Sequence, residues 1–193
     1  RFPLVAIVFR SQADYVGFGE RELGVRRGQY IGHYSQQTNR VCTFDLTGID
    51  SLANQRRPTT TLSHVSRLLA QPAAERTVAT IIHEATHQLA FNSGLQTRYA
   101  DNPGWVSEGI ATYFESPNLA DTRGWNGIGA INRFNLFHFR RSLARQPSNR
   151  LVQLISSDDA FQDPASVRRA YAESWALTYF LVKTRGEQYR DYI

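Results

Sequence analysis

Histidine, glutamate, two further residues and histidine again occur in order at His83–Glu84–Ala85–Thr86–His87. On an α-helix, residues four apart stack on one face, so both imidazoles can reach a single metal ion. Zn²⁺ takes imidazole nitrogen at about 2.0–2.1 Å. Glu84 stands beside the first imidazole, where its carboxylate can meet a metal-bound water rather than the ion itself. Zinc draws the pKa of that water toward ~7. A neighbouring carboxylate can accept the proton and pass it to a leaving amine. With five histidines and eight glutamates in 193 residues, chance produces such a string in roughly one chain in two hundred.

A catalytic zinc commonly takes three protein ligands and keeps one position open. One metallopeptidase group continues the motif as HExxHxxGxxH, but Ala90 and Ser93 stand where its glycine and third histidine would be. Cys42, the only cysteine, lies in a strand-like segment with no accompanying motif. Glu108 remains, 21 residues beyond His87, within the stretch WVSEGIATYFE at Trp105–Glu115. The intervening chain is long enough to turn back, and a second helix can aim Glu108 at the metal. His33 and His138 are not at ligand spacing and read as structural or surface histidines. Glu115, Asp101 and Glu173 read as surface acids, and Trp105 and Trp175 as core anchors.

The elements that must position these residues come in two blocks. Leu4–Phe9 is a short β-branched run suited to a buried strand. Ser11–Leu23 reads as a short helix capped by Ser11. Gln29–Tyr34 and Arg40–Leu46 read as an antiparallel hairpin, and Thr47–Thr61 as a loop. Helical patterning follows. Ala73–Asn92 places Val78, Ile82, Ala85 and Leu89 on one apolar stripe, with Gly94 as a stop. Asn102–Pro103–Gly104 is a turn, and Trp105–Glu115 a second helix ended by Pro117. Further helices are expected at Asn132–Arg145, at Leu151–Ser156, and from Pro164 to about Thr184 before Gly186. Strands followed by helices predict an α+β fold: one domain over 1–193, strand-rich in 1–60 and helical in 73–193.

Composition excludes several classes. At 41% hydrophobic and 20% charged residues, the chain is neither a disordered tail nor a coiled-coil rod. One cysteine permits no intrachain disulfide and no cysteine-rich zinc module. No apolar run is long enough to cross a bilayer. The net charge is +5, and all but one of the 22 basic residues are arginines, scattered along the chain. No nucleic-acid motif accompanies them, so no nucleic-acid partner is expected. The lack of any methionine, even at position 1, reads as a fragment or a processed form of a longer product.

HExxH followed at this distance by Trp105–Val106–Ser107–Glu108–Gly109–Ile110–Ala111–Thr112–Tyr113–Phe114–Glu115 resembles the gluzincin metallopeptidases, the thermolysin-like group whose third zinc ligand is a glutamate. Pro103–Gly104–Trp105 before Glu108 and Ala111–Thr112–Tyr113–Phe114 after it are similar to the bacterial family called domain of unknown function 1570. The early strands resemble that family's sheet, and Tyr171–Ala172–Glu173–Ser174–Trp175–Ala176–Leu177 its C-terminal helix. The resemblance implies one Zn²⁺ per chain held by His83, His87 and Glu108, with Glu84 as general base. It also implies a Tyr or His that hydrogen-bonds the oxyanion, for which Tyr171 is the first candidate and Tyr179 the second. Thermolysin-like enzymes place an acid one turn after the third ligand to orient a histidine. Thr112 occupies that position here and cannot serve as a carboxylate.

These readings together predict a gluzincin-type zinc peptidase acting on a peptide or protein substrate. The architecture expected is a short twisted, antiparallel-rich sheet packed on the HExxH helix, followed by a mainly helical part. The edge strand at Gln29–Tyr34 would accept an extended peptide by backbone hydrogen bonds. The alternative is a degenerate peptidase-fold module that binds a protein or cell-envelope partner without cleaving it. The resemblance favours a secreted or envelope location.

Overall fold

The computed structural model describes residues 3–24, 30–45, 72–116, 127–143 and 147–193. The loop expected at Thr47–Thr61 and the helix stop expected at Pro117 lie outside them. The described elements are β1 (Val5–Phe9), α1 (Gln12–Leu23), β2 (Gly32–Ser35), β3 (Arg40–Phe44), α2 (Pro72–Ser93), α3 (Gly104–Phe114), α4 (Arg133–Leu143), α5 (Arg150–Ser156), α6 (Asp159–Gln162), α7 (Val167–Thr184) and α8 (Gly186–Tyr192). A small mixed sheet with eight helices is an α+β fold. No described helix is long and apolar enough to cross a membrane. The chain divides into two compact units, Arg1–Gln88 with Pro117–Asn126, and Leu89–Ser116 with Gly127–Ile193.

In the first unit, the Ser11 side chain accepts the Asp14 N–H and starts α1, while Gly24 ends it at φ 65°. This is the cap expected from sequence, and the left-handed stop is a conformation that glycine adopts without a Cβ penalty. Strands β2 and β3 form the expected antiparallel hairpin, with His33 opposite Cys42. Strand β1 departs from the antiparallel expectation by pairing parallel to β3, with Ile7 opposite Cys42. Between β1 and β3 the chain passes through α1 and β2, the kind of crossover that a parallel pair requires. The strand order is β1–β3–β2, so β2 lies at a sheet edge as expected.

Strand β1 is not the buried strand that its composition suggests. It occupies the other edge, and its side chains alternate: Ile7 and Phe9 join the cluster around Tyr15, Cys42 and Phe44, while Val8 is 52% exposed.

Helix α2 covers the expected range and stops before Gly94, which sits at φ 85°. Its buried stripe differs from the apolar one read from sequence. Leu89 is 56% exposed, whereas Ala74, Thr77, His83, Gln88 and Ala90 are buried. The reason is polar: Gln88 donates its side-chain amide to the carbonyls of Asn39 (2.7 Å) and Val5 (3.3 Å). An amide that supplies backbone carbonyls of the sheet and its hairpin turn takes the inward position that hydropathy alone gives to a leucine. Beside it, Gly32 of β2 lies so close to α2 that a Cβ there would stand 2.7 Å from the Thr80 methyl. The sheet therefore packs on the HExxH helix through a glycine and an amide.

In the second unit, α3 packs along α7. Trp105, Val106, Ile110, Leu154, Ala170 and Tyr189 form its apolar core. Trp105 and Trp175 are both buried, as expected for anchors. Glu173, expected at the surface, is 5% exposed. It accepts from the Arg150 Nε at 2.7 Å, with Arg169 at 3.7 Å. The Arg150 guanidinium is buried as well and supplies the countercharge that permits this burial. Helices α6 and α8 are additional to those read from sequence. Gly186, taken as a stop, opens α8 instead.

Candidate metal centre

Helix α2 sets the two motif histidines on successive turns. Their Nε2 atoms are 3.3 Å apart, and the rings are nearly perpendicular at 79°. Two nitrogens each ~2.05 Å from one tetrahedral zinc stand about 3.3–3.4 Å apart. The pair therefore has the spacing that a shared zinc would impose. His83 is buried and His87 half-buried. Between them, Thr86 turns its hydroxyl back to the Ile82 carbonyl at 2.7 Å, a bond within the helix itself.

Cys42, the alternative soft ligand, is fully buried in β3. Burial, with Glu22 and Glu84 adding and Arg40 opposing, raises its thiol to about 11. A buried thiol held neutral in this way packs as a small apolar side chain. His33 is structural, as expected: its Nδ1 meets the Tyr15 hydroxyl at 2.8 Å inside the first unit.

Glu108 lies near the middle of α3 and is half-buried. The register of α3 is fixed on both sides of it. Before it, Ser107 accepts from the Gln96 side chain at 2.6 Å. After it, Gly109 meets α7 so closely that a Cβ would run into the Thr178 hydroxyl and stand 2.9 Å from the Ser174 carbonyl oxygen. Thr112 bonds back to the Glu108 carbonyl at 2.6 Å, so its hydroxyl serves its own helix. Among the described residues, His83 and His87 are set in the first unit and Glu108, the expected third ligand, in the second. Two imidazoles and a carboxylate are a donor set suited to zinc.

The other candidates lie in the second unit. Tyr171 is half-buried on the second turn of α7, with its ring edge-on to Phe161 at 5.9 Å between centroids. Tyr179 is packed among aromatics, 5.5 Å from the Trp175 ring and 6.2 Å from Tyr113, with the Lys183 ammonium 5.5 Å from its ring centroid. Asp101 is exposed, in keeping with a surface acid. Glu115 is half-buried and accepts from the side chains of Asn132 (2.8 Å) and Asn135 (3.4 Å). His138 sits between the rings of Phe134 and Phe137. Sequence reading missed the supporting roles of Gly109 and of the Arg150–Glu173 pair. A glycine inside WVSEGIATYFE, next to the candidate ligand, was the signal for the first. For the second there was none, because the partners are 23 positions apart.

No curated protein and no solved structure matches the chain. The family described as protein of unknown function (DUF1570) matches residues 77–193. That span takes in both motif histidines, Glu84, Glu108 and Tyr171, and leaves the sheet outside. Since it covers more than half of the sequence, the chain belongs to the DUF1570 family.

Proposed function

We propose that this protein is a zinc-dependent peptidase of the gluzincin type, with His83, His87 and Glu108 holding the ion and Glu84 as general base. The observation that carries this reading is the 3.3 Å separation of two imidazole nitrogens on one helix face. Glu108, 21 residues beyond His87 within WVSEGIATYFE, supports it as the expected third ligand.

When bound, zinc supplies a Lewis acid that polarises the scissile carbonyl and makes water a nucleophile near neutral pH. The remaining work falls to the chain. Glu84, outside the ligand set, takes the proton of the attacking water and returns it to the departing amine nitrogen. Tyr171 donates its phenolic proton in a hydrogen bond to the carbonyl oxygen as that oxygen gains charge. Strand β2, at an edge of the sheet among the described residues, is the strand expected to take an extended substrate.

Thr112 favours a second reading, a module that binds a protein or envelope partner without hydrolysis. Its hydroxyl is committed to its own helix at the position where thermolysin-like enzymes carry an orienting acid.

Titration of the metal-free chain with Zn²⁺, followed by assay on a mixed peptide library, separates the two. The peptidase reading expects about one equivalent of zinc bound, cleavage that a chelator abolishes, and loss of both in His83→Ala and His87→Ala. Zinc binding without cleavage of any peptide supports the module. No zinc binding overturns the metal centre altogether.

A further inference from the structure

Helix α4 is inverted relative to an ordinary surface helix. Its inward side carries buried amides, Asn132 just before the helix and Asn135 within it, at 8% and 3% exposure. Its outward side carries Phe134 and Phe137, at 59% and 54%. At 100° per residue, Arg133, Phe134, Phe137, His138, Arg140 and Arg141 fall on one continuous arc of about 160°. The helix faces the rest of its own unit through hydrogen bonds from Asn132 and Asn135 to Glu115, which leaves Phe134 and Phe137 outward.

The same surface is strongly basic. Residues 127–143 contain three arginines and no aspartate or glutamate. The Arg141 guanidinium lies 5.4 Å from the Phe137 ring centroid, and Arg168 of α7 lies 5.9 Å from that of Phe134. The local field is felt by His138, whose pKa is held below its ordinary value by burial and then by Arg168 and Arg141. Aliphatic side chains flank the arc: Ile128 and Ile131 before the helix and Leu143 at its end are each half or more exposed.

We propose that this face docks on an anionic lipid surface. Phenylalanine and isoleucine side chains suit the boundary between headgroups and acyl chains, while the arginines beside them pair with lipid phosphates. Charge complementarity selects an anionic surface, and the exposed aliphatic residues select lipid over nucleic acid. Isoleucine and leucine neither stack on bases nor pair with phosphates. The inference is independent of the metal centre.

Co-sedimentation of the full chain with vesicles tests it. Expected is binding to phosphatidylglycerol–phosphatidylcholine vesicles at 0.1 M salt, with little binding to phosphatidylcholine alone. Arg140→Gln/Arg141→Gln weakens it about thirtyfold, each charge near the surface counting about fivefold. Phe134→Ser/Phe137→Ser weakens it at least tenfold with an unchanged melting temperature. A melting temperature that falls would move the phenylalanine test to Ile128→Ser/Ile131→Ser, with the same loss expected. Equal binding to both vesicle types overturns the proposal. So does full retention of binding in these apolar-to-serine variants, or tighter binding to a duplex DNA probe that those variants leave intact.

Discussion

Helices α2 and α3 carry the candidate ligands, and each is fixed by a different kind of contact. Helix α2 is held by neutral groups: the Gln88 amide on the carbonyls of Val5 in β1 and Asn39 in the hairpin turn, and the close approach of Gly32 to Thr80. Helix α3 is held by backbone-close packing of Gly109 on α7. Helix α7 is in turn tied to α5 by the buried Arg150–Glu173 pair. Both solutions use a glycine at the contact, because a Cβ there would run into the facing helix, at a side-chain methyl for Gly32 and at backbone as well as a side chain for Gly109. They differ in what backs the glycine. A neutral amide that loses its partner is costly by a modest amount, whereas a buried charge that loses its partner is costly by several times more.

That difference orders the expected effects. Glu173→Gln leaves the buried Arg150 guanidinium without a countercharge and should cost about 3–5 kcal/mol, read by urea denaturation. A loss below ~1 kcal/mol would mean that the pair is not what ties α5 to α7. Tyr171 lies two residues before Glu173 on the same helix and separates packing from chemistry. Tyr171→Phe should lower kcat by about 10²–10³-fold, equivalent to ~2.7–4 kcal/mol, with KM little changed. Unchanged kcat would pass the oxyanion role to Tyr179 or to another residue.

The two glycines come next. Gly109→Ala should cost about 2–3 kcal/mol, because the new methyl meets the Ser174 carbonyl as well as the Thr178 side chain. Removing the side chain in Gly109→Ala/Thr178→Ala should restore only part of this. Gly32→Ala should cost about 1–2 kcal/mol. Most of that should return in Gly32→Ala/Thr80→Ser, since the nearest obstacle there is a methyl group. Thermal melts of the four variants compare the contacts directly. Equal rescue at both sites would erase the distinction drawn between them.

The sequence made the candidate metal ligands more legible than their surroundings. HExxH on a helix is a local pattern, so its two imidazoles could be set on one face from spacing alone. Element boundaries with a local chemical cause, such as Ser11 at the start of α1 and Gly94 after α2, were equally plain. What stayed hidden depended on partners far along the chain. The inward turn of Gln88 answers carbonyls at Val5 and Asn39, so α2 buries an amide while Leu89 remains exposed. Glu173 reads as a surface acid until Arg150 is brought beside it. The hairpin β2–β3 was visible because its strands are adjacent, and the parallel partnership of β1 was not, because it is set by the crossover. Helix α4 misleads in the opposite sense, with phenylalanines outward and asparagines inward.

The central claim is that Glu84 moves the proton while two histidines and Glu108 hold the metal. Its most direct test is the hydrolysis rate of zinc-loaded Glu84→Gln beside zinc-loaded wild type, on a peptide the wild type cleaves. The account predicts equal zinc content, an unchanged fold and a rate reduced by at least the 10²–10⁴-fold typical of losing a general base. A Glu84→Gln protein that binds zinc and cleaves the peptide as fast as wild type would contradict it.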